Sequence, residues 1–397
     1  MTSNRNKSRS LVLRLWRHQE SRAVIIQILT MIAIFALIAL IAQNVVVNLA
    51  AVGKEFSFGF LLWPAAYDIT FSPFIEYTNQ STHLRAAAVG ALNTLLVALL
   101  GIIAASILGF TLGILRLSRN WLVSRIVYVF IEFVRNVPIL IHILAIYSMI
   151  VVLLPPAKKS YGLPDGIFFL SNRGFYVPSP IFEAGASIVG IIFVLAVISA
   201  IIFRQWAKRV QNQTGRIYPV FWISVAIVVG ATGIAFLATG MPLSWDIPAL
   251  KGFNFKGGMA LKPEFLALWL ALSYYTACFI AEIVRAGILA VNSGQTEAAH
   301  AIGLRHNRTL QLVVIPQALR VIVPPLCSQY LNLTKNSSLA IAIGYMDITA
   351  TIGGISLMQT GKEMETMLIV MGFYLVISLI ISAFMNWFNR RIKLTER

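Results

Sequence analysis

Apolar residues gather along this chain in eight stretches, approximately 23–47, 87–115, 137–154, 184–203, 220–240, 265–291, 321–345 and 367–388. Each is about 20 residues long, the length a helix needs to cross the hydrocarbon of a bilayer. The pattern predicts an all-α polytopic membrane protein with about eight transmembrane helices. Residues 48–85 carry Phe56, Phe58, Phe60, Trp63, Pro64 and Tyr67, a mixture suited to the lipid headgroup level. Residues 155–183 are rich in Pro and Gly and read as a surface loop. Neither segment reads as a separate folded domain.

Composition agrees. Of the 397 residues, 58% are hydrophobic and 12% charged, and the mean hydropathy is +0.79. A soluble domain carries about 25% charged residues, so a soluble core could not hide this much apolar surface. The net charge of +17 would suggest nucleic acid in a soluble chain, but here topology accounts for it. Eight crossings leave both termini on one side. That side holds 22 of the 32 basic residues against nine on the other, with Lys335 inside a stretch. By the positive-inside rule both termini are expected in the cytoplasm, and no nucleic-acid partner is needed. The basic leader 1–22 (Arg5, Lys7, Arg9, Arg14, Arg17, Arg22) precedes an apolar run too long for a signal peptide, which reads as a retained signal anchor. Cys278 and Cys327 both lie in apolar stretches and imply neither a disulfide framework nor a zinc site.

The clearest change in composition lies in residues 292–320, between the sixth and seventh stretches. Gly294 can end the preceding helix, and Thr296, Glu297 and the following alanines can begin a short new one. Gly303 allows a positive φ before a second helical piece, and Pro316 is expected to end or kink that piece where the chain re-enters the membrane. The result is a helix–Gly–helix elbow projecting into the cytosol, or else an ordinary helical connector.

The residues of this loop resemble a known family. Glu297-Ala298-Ala299, then Gly303, then Val313, Ile315 and Pro316, are similar to the EAA loop of ATP-binding-cassette importer permeases; Val313 and Ile315 are mild departures from its usual residues. Gly294-Gln295-Thr296-Glu297, Pro316-Gln317-Ala318, Ala281-Glu282-Ile283-Val284-Arg285-Ala286-Gly287-Ile288 and Lys335-Asn336-Ser337-Ser338-Leu339 resemble the polar amino-acid branch of that family. Leu92-Asn93-Thr94-Leu95 and Glu132-Phe133-Val134-Arg135-Asn136-Val137-Pro138-Ile139-Leu140 are similar to the first half of the same core. The chain's length and interruption look like the first permease subunit of general L-amino-acid importers.

That resemblance implies a type I importer permease core of five helices with three extra ones. The chain would divide into the leader (1–22), an extra span with its external loop (23–86), a first part of the core (87–154), an insertion with two extra spans (155–264), and a second part of the core (265–397). It implies ATPase coupling through Gln295, Glu297, Ala298, Ala299, Gly303 and Pro316. The implied partners are a second homologous permease, two ATPase subunits that bind ATP and Mg, and a periplasmic amino-acid-binding protein. The implied location is the bacterial inner membrane. No cofactor is expected in this chain. It has no G-x-x-x-x-G-K-[ST] motif, since Gly53-Lys54 and Gly361-Lys362 are each followed by Glu and lack the upstream glycine.

Five charged residues are candidates for the pathway or its gate. Glu132 with Arg135, and Glu282 with Arg285, are each three apart and can meet on one helix face, either fixing helix ends or serving as gating contacts. Lys335 has no acid within four residues; buried alone it would cost about 3 kcal/mol, so it should face a partner or an aqueous cavity. Gly101, Ala105, Gly109 and Gly113 recur every four residues, a spacing that lets two helices approach closely. No H-E-x-x-H and no nucleophile–base constellation is visible, so no catalytic or metal-binding residue is expected. The rival is a proton- or sodium-coupled secondary amino-acid transporter, which accounts for the spans and buried charges but not for the elbow.

Overall fold

Among the described residues of the computed structural model, seven helices are long and apolar enough to cross a membrane, and a bent helix pair brings the number to eight. The structure describes residues 19–163 and 166–392, so most of the basic leader, Pro164, Lys393 and Arg397 lie outside the described residues. The helical class expected from the sequence holds.

Helix α1 spans Gln19–Ala51 and leaves its side chains uncovered along the spanning window. Helix α2, His83–Arg116, is capped by the Thr82 hydroxyl, which accepts from the Arg85 amide. The third predicted stretch is one helix, joined at a sharp bend to another that precedes it. Helix α3, Trp121–Asn136, turns through 102° into α4, Ile139–Ser148, which continues as a π-helical turn over Met149–Leu153. Residues 121–136 lie between the second and third apolar stretches, and the hydropathy pattern predicts no helix there. Instead Leu122, Ile126, Val129 and Phe133 form an apolar stripe at helical spacing, and Pro138 breaks the chain where the two helices meet. At 1.5 Å per residue, 139–153 rises only about 22 Å, less than a full hydrocarbon core.

The surface-loop reading of 155–183 is corrected. Strands β1 (Tyr161–Leu163), β2 (Phe168–Ser171), β3 (Gly174–Val177) and β4 (Ser179–Phe182) precede helices α5 (Ala186–Thr214) and α6 (Val220–Ala238). Strands β5 (Leu243–Asp246), β6 (Ala249–Lys251), β7 (Asn254–Lys256) and β8 (Met259–Leu261) follow them. Strands β1, β2, β3 and β8 form one antiparallel sheet, in which Phe175 pairs with Leu261 and Val177 with Met259. Two smaller pairs, β4 with β5 and β6 with β7, complete the cap. Tyr176 and Phe255 pack at its centre with ring centroids 4.6 Å apart. Each strand is too short to stand alone, and the sheet exists because α5 and α6 pack on each other as a hairpin that brings its two halves together.

The core is built by α2 and α7, Pro263–Leu289, which pack along most of their length. The small-residue stripe serves this at Gly109 and Gly113, while Gly101 makes room for Leu333. Gly101, Ala105, Gly109 and Gly113 are all buried, and a Cβ on Gly109 would lie 2.6 Å from Ile280. At the end near Phe71 and Phe265, whose rings stack at 5.2 Å, part of the segment expected at headgroup level is inside the protein. Phe56, Phe58 and Trp63 are exposed as expected, but Phe60 and Ala65 are fully covered. Buried Asn93 on α2 donates to the carbonyls of Phe71 (2.8 Å) and Met346 (2.9 Å), tying the segment down. The Tyr67 hydroxyl lies 3.1 Å from that of Ser356 and, pushed up in pKa by burial, stays a neutral partner there.

Candidate functional site

The elbow begins where α7 ends. Asn292 is in extended backbone and its side-chain oxygen accepts from the Gly294 amide at 2.8 Å, starting helix α8, Ser293–Ala301. Gly294 therefore lies inside the new helix and does not end the old one; Asn292 satisfies an otherwise orphaned amide, as an N-cap does. Gln295, Glu297 and Ala298 are exposed on α8, and Ala299 is its buried contact. Gly303 has φ +83°, as the sequence suggested. The Gly303 amide donates to the His300 carbonyl (2.9 Å) and the Leu304 amide to the Ala299 carbonyl (3.1 Å), the paired bonds that close a helix on a left-handed glycine.

Helix α9, His306–Thr309, follows, then a π-helical turn over Leu310–Val314, then α10, Ile315–Asn336. Pro316 neither ends nor breaks this run, contrary to expectation. It sits in the first turn of α10, where its missing N–H costs least, and the wider π turn stands just before it. The two arms are tied together. His300 and His306 stack with rings parallel within 4° at 6.2 Å, and the Gln317 side-chain amide donates to the Gln295 amide oxygen at 3.2 Å. Ile302, 79% exposed at the elbow's tip, is a large apolar side chain with nothing in this chain to cover it.

The charged candidates cluster at the same end. Arg285 donates to Glu282 at 3.3 Å, and Arg135 lies 3.6 Å from Glu132, so both three-residue pairs form. A third arginine joins them: Arg116 at the end of α2 makes an ion pair with Glu282. Gly113 presses α2 onto α7 three residues earlier, which is what delivers Arg116 to Glu282. Arg135 also sits over the Phe279 ring, 5.2 Å from its centroid.

Residues 192–394 match the family described as "Binding-protein-dependent transport system inner membrane component". The chain belongs to that family. It is 47% identical to the general L-amino acid transport system permease protein AapQ of Rhizobium johnstonii, over 95% of this chain and 93% of the relative. It is 46% identical to the putative amino-acid ABC transporter permease protein YhdX of Escherichia coli, with 95% of each chain covered. Similarity to the glutamate/glutamine/aspartate/asparagine transport system permease protein BztB of Rhodobacter capsulatus is also 46% over 95% of each. Membership in this family sets aside the secondary-transporter reading.

Elsewhere in the permease, Lys335 is apart from the other charges. The α-helical part of its span stops at Asn336 and continues as a 3-10 turn over Ser337–Ile343, so the lysine stands in the last turn of α10, near favourable carbonyl dipoles. It is exposed on the surface of this chain.

Two polar junctions escaped the sequence reading. His142 on α4 hydrogen-bonds the Tyr274 hydroxyl at 2.6 Å and the Val134 carbonyl at 3.1 Å, bracing the bend between α3 and α4 against α7. Buried Asp347 accepts from the Ala350 amide at 2.8 Å and from the Tyr374 hydroxyl at 3.2 Å. Both are single residues in apolar surroundings, and only the rarity of ionisable groups in spans marks them.

Proposed function

We propose that this permease is one of two transmembrane subunits of an ATP-driven amino-acid importer in the bacterial inner membrane. It would pair with a second, homologous permease. The two would sit on a pair of ATPase subunits that hold ATP and Mg, and receive cargo from a periplasmic amino-acid-binding protein. The observation that carries this reading is the elbow. Its two arms are cross-tied by Gln295–Gln317 and His300–His306, hinged at Gly303, and crowned by exposed Glu297 and Ile302. That is a rigid knob continuous with a span, which is what a subunit without its own nucleotide motif needs in order to be driven by another. The amino-acid cargo is supported by the printed names of the three relatives.

The excess of basic residues on one side supports an elbow and both termini facing the cytoplasm. Internal packing agrees with that partition. Lys54 and Lys362, both assigned to the opposite side, meet at one site where Lys54 pairs with Glu363 at 2.7 Å and Lys362 donates to the Glu55 carbonyl. The α5–α6 hairpin with its strand cap is read as an insertion between the two parts of a five-helix core.

The test is purification of the chain from its native membrane in mild detergent, with uptake measured after reconstitution. Recovery of an ATPase and a second permease, with vanadate-sensitive amino-acid uptake, is the expected outcome. Glu297→Lys and Gly303→Asp should abolish uptake while the chain still inserts. Aspartate tolerates positive φ better than most residues, so a loss there reports the negative charge it brings to the docked surface and not backbone strain. A chain that purifies alone and transports alone would overturn the reading.

A further inference from the structure

A second feature lies beside the elbow and plays no part in the coupling argument. The end of α2, the connection to α3, the first turns of α3 and one residue of α7 border an open surface cavity of about 450 Å³. Four arginines line it: Arg116, Arg119, Arg125 and Arg285. One carboxylate, Glu282, serves two of them, Arg116 and Arg285. Among the described residues neither Arg119 nor Arg125 meets a carboxylate. Arg116 and Arg125 instead rest on the Tyr128 ring, 4.9 and 5.3 Å from its centroid, so both guanidinium groups have a fixed support.

We propose that this cavity holds the phosphate headgroup of an anionic phospholipid. Three features converge on that ligand. Guanidinium groups match phosphate oxygens in pairs, and an unneutralised set of them at a membrane boundary calls for an anion. The N-terminus of α3, already capped by Asn120 through the Leu122 amide at 3.0 Å, adds its positive dipole end at the same place. The lipid source follows from the rim. Trp121 is 75% exposed, and beyond it Leu122, Ile126, Val129 and Phe133 form an uncovered apolar stripe on a helix bent 102° from the span that follows. A helix with that stripe and that angle lies in the interface, its apolar face among acyl chains. A headgroup seated among the arginines would have its tails beside that stripe, whereas a soluble phosphate would leave it unused. The inference rests on membership in the permease family and not on the identity of the cargo.

The experiment uses the whole importer complex in nanodiscs of phosphatidylcholine with or without phosphatidylglycerol, released for native mass spectrometry. Wild type should keep phosphatidylglycerol preferentially. Arg119→Gln with Arg125→Gln should reduce its retention several-fold to the phosphatidylcholine level, and Arg119→Lys with Arg125→Lys should restore most of it. Both residues are exposed and outside the ion pairs, and elution of the intact complex on size exclusion checks assembly. Equal retention by wild type and the glutamine variant would overturn the proposal. So would displacement of the lipid by millimolar inorganic phosphate or glycerol phosphate, which would make this a site for a soluble anion.

Discussion

Gln317 and Gln295 are joined side chain to side chain at 3.2 Å although 22 positions separate them in the chain. One stands in the first turn of the elbow helix α8, the other in the first turn of α10, which enters the bundle. A push on α8 is thereby carried directly into a spanning helix, as well as along the covalent path through Gly303.

Gln317→Ala should loosen that connection without unfolding the protein. A neutral hydrogen bond contributes about 0.5–1.5 kcal/mol, a small part of a bundle's stability. The expected outcome is normal assembly and ATP hydrolysis but less amino acid moved per ATP, measured in proteoliposomes of the whole complex. An unchanged ratio would mean that the bond is only local packing.

Gly303 separates two explanations of the same hinge. At φ +83° a β-branched residue is strained by about 1–2 kcal/mol, while asparagine visits this region readily. A Cβ placed there meets nothing within 4 Å in this chain. Gly303→Val should therefore fray the end of α8 and reduce recovery of the ATPase on co-purification, and Gly303→Asn should behave nearly as wild type. If both lose the ATPase equally, the space above Gly303 belongs to the partner and its backbone freedom is secondary.

These elements differ in how far the sequence disclosed them, and the reason is distance along the chain. The spans, the hinge at Gly303, both Glu–Arg pairs and the small-residue stripe depend on neighbours within a few residues, so periodicity and spacing reveal them. The strand cap depends on Val177 meeting Met259 across an intervening helical hairpin, and nothing local in three- or four-residue strands announces that partner. Helix α3 was legible in principle, since its apolar stripe has helical spacing, but that stripe covers one face only and makes no continuous apolar run of spanning length. The third member of the Glu282 cluster, Arg116, came from packing of α2 on α7. The π turn before Pro316 has no sequence signature beyond the proline it accommodates.

Tyr274→Phe tests the brace at the α3–α4 bend. Removing the hydroxyl leaves one ring nitrogen of buried His142 without its partner at 2.6 Å. Leaving a buried polar group unsatisfied costs about 1–3 kcal/mol, more than the loss of a phenol's packing would. The melting temperature of the purified complex should fall, and His142→Phe combined with Tyr274→Phe should recover part of the loss because no orphaned nitrogen remains. If the double variant is worse than Tyr274→Phe alone, the Val134 carbonyl contact of His142 is the dominant one.

The close approaches of α7 to its two neighbours make opposite predictions for rescue. A Cβ on Gly287 would overlap Cγ1 of Ile322 on α10, with the nearest backbone atom, the Ala318 oxygen, at 3.4 Å. The obstacle is a side-chain atom that a second substitution removes. On Gly109 of α2 a Cβ would lie 2.6 Å from Cβ of Ile280 and 2.9 Å from the Ala277 carbonyl oxygen, atoms that persist in any alanine variant. Overpacking of this kind costs about 1–3 kcal/mol, so Gly287→Ala and Gly109→Ala should each lower thermal stability in detergent. Adding Ile322→Ala should restore much of the loss at Gly287, a favourable coupling between two contacting sites. Adding Ile280→Ala should restore little at Gly109, because helix α2 would still have to move away from the α7 backbone. Equal rescue at both positions would mean that the α2–α7 contact yields as easily as the α7–α10 contact, and that the glycine stripe does not set the spacing of the core.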